Sequence, residues 1–364
     1  MQLPTVGAAV DQLETPCLVV DLDAFERNIE KMSAYCRSNG VAWRPHSKCH
    51  KSPAIAHKLI EAGAVGMTCA KLGEAEVMAA GGVTDLLIAN PLPPSKAARL
   101  VALCSQADPI AVVDHADHVD ALSAAASAKG VVVPTLVEVD VGMKRCGAAA
   151  GEATVKLAQR ITAAPGLRLD GIMGYEGHLL TVADPAEKKA QIEAAMDLLV
   201  ESRAAIERVG LPCPTVSAGG TGSYEYTAKV KGLTEMQAGG GIFMDLMYRD
   251  LCHVPDLELA LFILSTVSSR PTSDRAVIDA GRKTMNQEIL VPQVHNRPGV
   301  TVDSLSAEHG VLKLASGTQL SIGERLEIIP GYGDFTTVLH NFFFGVRGGR
   351  IETIWPLEGR GRLD

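Results

Sequence analysis

Several absences narrow what this chain can be. No Lys/Arg block is dense enough to follow a phosphate backbone, and the formal net charge of -8 argues against nucleic acid as a partner. Met1 to Thr15 has neither a basic start nor a continuous apolar run, and no stretch is long and apolar enough to cross a bilayer. The expectation is a cytoplasmic protein with no leader peptide and no membrane partner. The eight cysteines, at 17, 36, 49, 69, 104, 146, 213 and 252, form no CxxC pair and read as reduced core or pocket thiols. There is no low-complexity tract, no repeat beyond strand-helix units, and no strand-turn-helix GxGxxG to hold a dinucleotide. What remains is a globular composition, 47% hydrophobic and 21% charged over 364 residues, enough for one large domain and a smaller one. A small-molecule enzyme fits these bounds.

Cys17 to Val20 is apolar after a Pro turn and reads as a strand. Asp21 then caps a helix whose apolar face is Leu22, Phe25, Ile29, Met32 and Tyr35, at helical spacing. Strand-like runs follow at Val41–Arg44, Val65–Thr68, Leu86–Ala89, Ile110–Val113, Val131–Val139, Leu169–Met173, Thr215–Ser217 and Glu235–Gln237. Helical patterns such as Lys71–Ala80, Ser95–Ser105, Glu152–Ala163 and Pro185–Val209 lie in the gaps. Eight strand-helix units predict a closed parallel (β/α)₈ barrel over residues 22–255, with a doubly wound sheet as the competing architecture. The strand at Cys17 is then one too many and is assigned to a second domain, residues 1–21 with 256–364. There the runs Leu259–Ser268, Ala276–Asp279, Gly310–Leu314, Arg325–Ile329, Val338–Val346 and Ile351–Trp355 are separated by Gly, Pro and Asn turns, which predicts an antiparallel β domain.

In such a barrel the site lies at the carboxyl ends of the strands, and loops seven and eight commonly hold phosphate. Here those loops are Ala218-Gly219-Gly220-Thr221-Gly222-Ser223-Tyr224 and Ala238-Gly239-Gly240-Gly241. Either loop alone would pass for a tight turn. Together they predict an anion cradle of backbone N–H groups with the Thr221 and Ser223 hydroxyls added. Arg44-Pro45-His46-Ser47-Lys48-Cys49-His50-Lys51 puts Lys48 at the mouth after the first strand, where desolvation and neighbouring cations would suit it to imine chemistry. Lysines and histidines at a strand end are more often simply solvated; the glycine loops are what favour the functional reading. After strand five, Arg145 either contacts a cofactor ring or pairs with a nearby acid. After strand six, Tyr175 is a candidate ring contact and His178 a candidate general base, though a histidine there also serves as a structural hydrogen bonder.

As an ordered set, RPHSKCHK, DVGMKRCG, GYEGH, GGTGSY, DAGRK and PGYGDFTTVLHN...WPLEGRG resemble the D-threonine aldolase and D-serine dehydratase family of fold-type III, alanine racemase-like enzymes. The resemblance runs from about Thr15 to Arg360. It implies pyridoxal 5'-phosphate (PLP) as cofactor, held by Lys48, and a homodimer acting on a small amino-acid substrate. The implied reaction is lysis of D-configured β-hydroxy-α-amino acids, by retro-aldol cleavage to glycine and an aldehyde or by dehydration.

The family also carries a divalent metal (Mn, Mg or Zn) in a late P-x-H-C-D-P-T motif. Here the stretch is Pro330-Gly331-Tyr332-Gly333-Asp334-Phe335-Thr336: Asp334 is kept, but Tyr332 stands where the ligating histidine is expected. An un-ionised phenol is a poor ligand for these ions. His309 and His340 are the possible substitutes. Gly241 stands where relatives tend to place a tyrosine. Tyr332 keeps open a second reading, an amino-acid racemase or epimerase using Lys48 and Tyr332 as opposed acid and base. A non-catalytic PLP carrier is a third reading, weakened by the extra β domain.

Overall fold

The computed structural model describes residues 3–364. Eight parallel strands pair side by side in the order Ala42–Trp43, Glu235–Met236, Thr215–Ala218, Leu167–Met173, Val133–Asp140, Asp108–Val113, Asp85–Ile88 and Met67–Cys69. A parallel bridge between His46 and Thr68 returns the last strand to the first, so the ring closes as a (β/α)₈ barrel. Leu87, Val112, Leu136 and Met173 from four neighbouring strands meet in one apolar cluster. Both faces of these strands are covered, which is why they read as apolar runs rather than alternating ones.

The predicted strands all occur, with shifted ends. The first shrinks to Ala42–Trp43 because Pro45 interrupts it and the chain turns at once into a 3-10 turn, Ser47–Cys49. Besides the single turn Tyr224–Thr227, two barrel helices had no counterpart in the sequence reading. Pro53–Glu61 begins with its proline in the first turn, and Ala116–Lys129 is capped by the His115 side chain, which accepts from Asp117 N. Alanine on every face of the second blurs its apolar stripe.

The chain divides into two compact units, residues 32–239 with 362–364, and residues 1–31 with 240–361. The expected boundaries were 22 and 255. The helix Leu22–Ser38 serves both units. Its early residues belong to the second, where Asn28 donates to Ile242 O and Glu258 O and Arg27 pairs with Glu258. Its late residues belong to the barrel, where Ser33 donates to Ala62 O and Tyr35 to Glu225 O.

In the second unit, Cys17–Asp21 lies between Leu261–Thr272 and Phe342–Arg347. The surplus amino-terminal strand is therefore in the β sheet. Its pairing with Phe342–Arg347 is parallel, Leu18 opposite Phe343, so the sheet is mostly rather than wholly antiparallel. Leu13, Cys17, Val19, Leu264, Phe344 and Ile351 form its core. The run expected at Val338–Val346 is split: Gly333–Thr337 is a helical turn and the strand begins at Phe342. Val300–Leu305 is a further strand, pairing with Gly310–Leu314; its Thr, Asp and Ser content hid it. No helix among the described residues is long and apolar enough to cross a membrane.

Candidate functional site

Lys48 sits in the Ser47–Cys49 turn at the carboxyl end of the first barrel strand, half-buried. Its backbone N–H donates to His46 Nδ1 at 3.3 Å. Burial, followed by the charges of Lys48, Lys51 and Arg145 among others, holds the His46 imidazole well below its ordinary range. His46 is thus a neutral acceptor beneath the lysine. The loop from the eighth strand passes directly over this turn. A Cβ on Gly239 would lie 2.3 Å from His46 O, so only glycine fits, and Cys49 Sγ lies 3.6 Å from Gly239 O.

Three loops converge on the same mouth. Arg145 follows the fifth strand, with its side chain half exposed, its guanidinium 3.7 Å from the buried Glu138 carboxylate and centred 5.7 Å from the Tyr175 ring. The sequence left a cofactor contact and an acid pair as alternatives for Arg145; its geometry combines the acid pair with a place over Tyr175. Burial raises Glu138 above the usual carboxylate range, while Cys146, donating to Oε1 at 3.0 Å, and Arg145 pull it back. Tyr175 follows the sixth strand, and its ring lies where Cβ atoms on Gly220 and Gly177 would stand 3.0 and 2.4 Å away. His178 is exposed at the rim, and a Cβ on Gly142 would come within 3.1 Å of its Nε2. Arg145, Tyr175, His178 and Gly220 are therefore neighbours, and Arg145 is close enough to His46 for its charge to be felt there.

The Gly219–Ser223 loop is braced from beneath by a residue to which the sequence assigned no role. Glu176, wholly buried, accepts from Ser223 Oγ at 2.6 Å and from Thr227 Oγ1 at 2.5 Å, both on Oε1. Gly220 N donates in turn to Ser223 Oγ at 3.2 Å. The Ser223 proton is thus committed to Glu176. Ser223 shapes the loop instead of adding a donor to it. Gly222 and Thr221 are buried in the same loop. Glu176 Oε2 has no hydrogen-bond partner. A carboxylate between Tyr175 and Gly177 in the glycine-bounded GYEGH was the visible signal.

The remaining predicted residues belong to the β unit. Gly240 begins the 3-10 turn Gly240–Ile242; a Cβ there would strike the Tyr248 ring at 2.6 Å. Tyr332 is buried and donates its hydroxyl to Asp334 Oδ2 at 2.7 Å. Asp245, close by, accepts from Gly333 N at 2.7 Å and Tyr248 N at 2.9 Å, and burial pushes it up to about 7. His340 Nε2 lies 2.7 Å from Thr284 O, and His309 is exposed on a turn.

The family resemblance implies two groups, and the residues can be tested against each. A half-buried lysine, an arginine whose charge reaches the neighbouring His46, a tyrosine ring packed on glycines and a braced glycine loop fit PLP. The metal does not fit. The phenol proton of Tyr332 occupies the Asp334 carboxylate, and among the described residues no three His, Cys, Asp or Glu side chains are gathered as a cation site.

Comparison with known proteins identifies the family. Residues 20–246 match the model for the alanine racemase N-terminal domain and residues 260–346 that for a putative serine dehydratase domain. The chain belongs to the D-threonine aldolase and D-serine dehydratase-like family. It is 38% identical to a 3-hydroxy-D-aspartate aldolase of Paracoccus denitrificans (strain Pd 1222), over 98% of this chain and 94% of that one. It is 35% identical to a D-threonine aldolase of an Arthrobacter species, over 98% and 95%. The crystal structure of D-threonine aldolase from Filomicrobium marinum superposes with a TM-score of 0.96 at 38% identity, covering 99% of this chain and all (100%) of the other.

Proposed function

We propose that the chain is a PLP-dependent lyase that cleaves D-β-hydroxy-α-amino acids by retro-aldol reaction to glycine and an aldehyde. The single observation that carries this reading is the placement of Lys48: it stands at the carboxyl end of the first strand, over a neutral His46 that also feels the charge of Arg145. The coverage and identity of the aldolase relatives support the choice of reaction. When bound, PLP supplies an electron sink for charge developing at the substrate Cα.

The chain's own residues would act around it. Lys48 holds the cofactor, with Arg145 and Tyr175 against its ring. The N–H groups of Thr221 and Gly222, with Gly239 and Gly240, would hold the phosphate, while Gly220, Ser223 and Glu176 hold that loop in shape. His178 Nε2 takes the substrate's β-hydroxyl proton, a role its rim position permits. No step is assigned to a metal at Asp334.

Dehydration of D-3-hydroxyamino acids is the near alternative on the same residues, and one relative, 30% identical over 88% of this chain, is a D-threo-3-hydroxyaspartate dehydratase of a Delftia species. A racemase or epimerase pairing Lys48 with Tyr332 is favoured by one observation, the buried phenol set on Asp334. We further propose a cytoplasmic homodimer; the eight cysteines, none of them in a disulfide, suit a reducing compartment.

The test is borohydride fixation of PLP to the purified protein with peptide mapping. Assays for aldehyde from D-threonine and D-phenylserine follow, before and after EDTA. A tag on Lys48 with aldehyde release supports the lyase. A tag with loss of optical rotation and no aldehyde favours the racemase, and no tag overturns the cofactor assignment.

A further inference from the structure

Lys51, three residues beyond Lys48, is not needed by the chemistry above, yet its placement is costly. It is 5% exposed and has a backbone φ of 50°, in the left-handed region that a lysine seldom adopts. Its Nζ lies 3.3 Å from Glu74 Oε2. Glu74, on the helix Leu72–Ala80, is wholly buried. It accepts from Ser47 Oγ at 2.6 Å on Oε1 and from Ala70 N at 3.0 Å on Oε2. Ser47 O accepts from Lys51 N at 2.7 Å. Glu74 is therefore bonded to residues on both sides of Lys48, the one before it and the one three after it.

The charges around this turn can be enumerated. On its own segment His46 and His50 are held neutral by burial, and Cys49 is a buried thiol. On the second strand Cys69 is a thiol pushed well above its ordinary range by burial. Arg145 stands opposite with Glu138, and His178 is at the rim. Arg44 is closed off by Glu235 and Asp85. Lys51 and Glu74 are left as the adjoining full charges in the floor. They cancel each other, and either alone would act on Lys48 through a poorly screening medium.

We propose that the Glu74–Lys51 pair is a positioning device that aims Lys48 and sets its proton affinity, and so the pH range in which it engages its carbonyl partner. The proposal rests on the reading of Lys48 as the cofactor lysine. Neither residue touches the reacting atoms; both act through the turn. A packing role alone would make either substitution loosen the turn in the same sense, whereas an electrostatic role makes the two act oppositely. Glu74→Gln leaves the Lys51 cation uncompensated and disfavours the protonated Lys48 linkage. Lys51→Met leaves the Glu74 anion uncompensated and favours it.

The experiment is a pH titration of the visible absorbance of the PLP-loaded full-length protein, with borohydride peptide mapping at each end of the range. Glu74→Gln is expected to lower the transition by about one pH unit and Lys51→Met to raise it by about as much. The double variant should lie near the parent, and Lys51→Arg should match it. Should a single variant fail to fold, Glu74→Met or Lys51→Gln, which removes the same charge, takes its place. Equal transitions in all variants, or shifts of one sign in both single variants, overturn the proposal while leaving the cofactor reading intact. Absence of any Lys48 tag in the parent overturns both.

Discussion

The Tyr332 hydroxyl donates to the carboxylate of Asp334, two residues further along the same chain, at 2.7 Å. Where the family resemblance implies an imidazole and a carboxylate open to a cation, this chain has a closed phenol–carboxylate pair. Tyr332→His removes the competing proton donor and supplies a better ligand. Its affinity for Mn²⁺ should rise at least about tenfold over the parent, read from the loss of the free-ion electron paramagnetic resonance signal in the purified protein. Equal Mn²⁺ uptake by the parent would show that the phenol is no obstacle.

His50 sets a pH dependence of stability. Burial, with the Lys51 charge beside it, lowers its imidazole from 6.5 to about 3, and Ser52 N–H donates to Nδ1. Nε2 is buried without a partner. Since the folded imidazole resists protonation and the unfolded one does not, this contribution is fully present above about pH 6.5 and is lost as pH falls toward 3. The full loss is on the order of 4 to 5 kcal/mol. His50→Gln should flatten this limb in urea unfolding compared at pH 7 and pH 4.5. An unchanged slope would refute it.

Gly239→Ala should be severe although it adds one methyl group. The new carbon would meet backbone atoms of His46 at 2.3 and 2.7 Å, so the Lys48 turn must move. A loss of about 2–3 kcal/mol is expected, together with weaker fixation of PLP on Lys48. Thermal unfolding and borohydride tagging measure the two effects separately.

Thr227→Val removes one of the two hydroxyls that Glu176 accepts, at a buried site. The loop should loosen, with PLP affinity down by about tenfold for one lost hydrogen bond of about 1 kcal/mol or somewhat more. Lys48 should remain taggable at saturating cofactor. Equilibrium dialysis decides it: unchanged affinity would mean that the loop holds its shape without Glu176.

The barrel was legible because its strands are buried on both sides and so spell out apolar runs, and because glycines stand at the loops after strands seven and eight. Lys48, Arg145, Tyr175 and Gly220 were readable for the same reason: each follows a recognisable strand. The supports were not. Glu74, Glu138 and Glu176 are acids in apolar surroundings whose partners, Ser47, Cys146 and Thr227, are 27, 8 and 51 positions away. No periodicity links such pairs. Ser223 was read as a donor because a hydroxyl in a glycine loop suits an anion, and only the position of Glu176 shows where its proton goes. Val338 was read into a strand because Val is at home there, but the preceding turn keeps it helical and delays the strand to Phe342.

The strand Cys17–Asp21 lies between residues 261–264 on one side and 343–346 on the other. During synthesis its neighbours are therefore among the last segments to leave the ribosome, after the whole barrel sequence has emerged. Until then it is an unpaired apolar edge, open to pairing with other nascent chains. A chain terminated before Phe342 would keep that edge for good, so premature termination should yield aggregates rather than a free barrel.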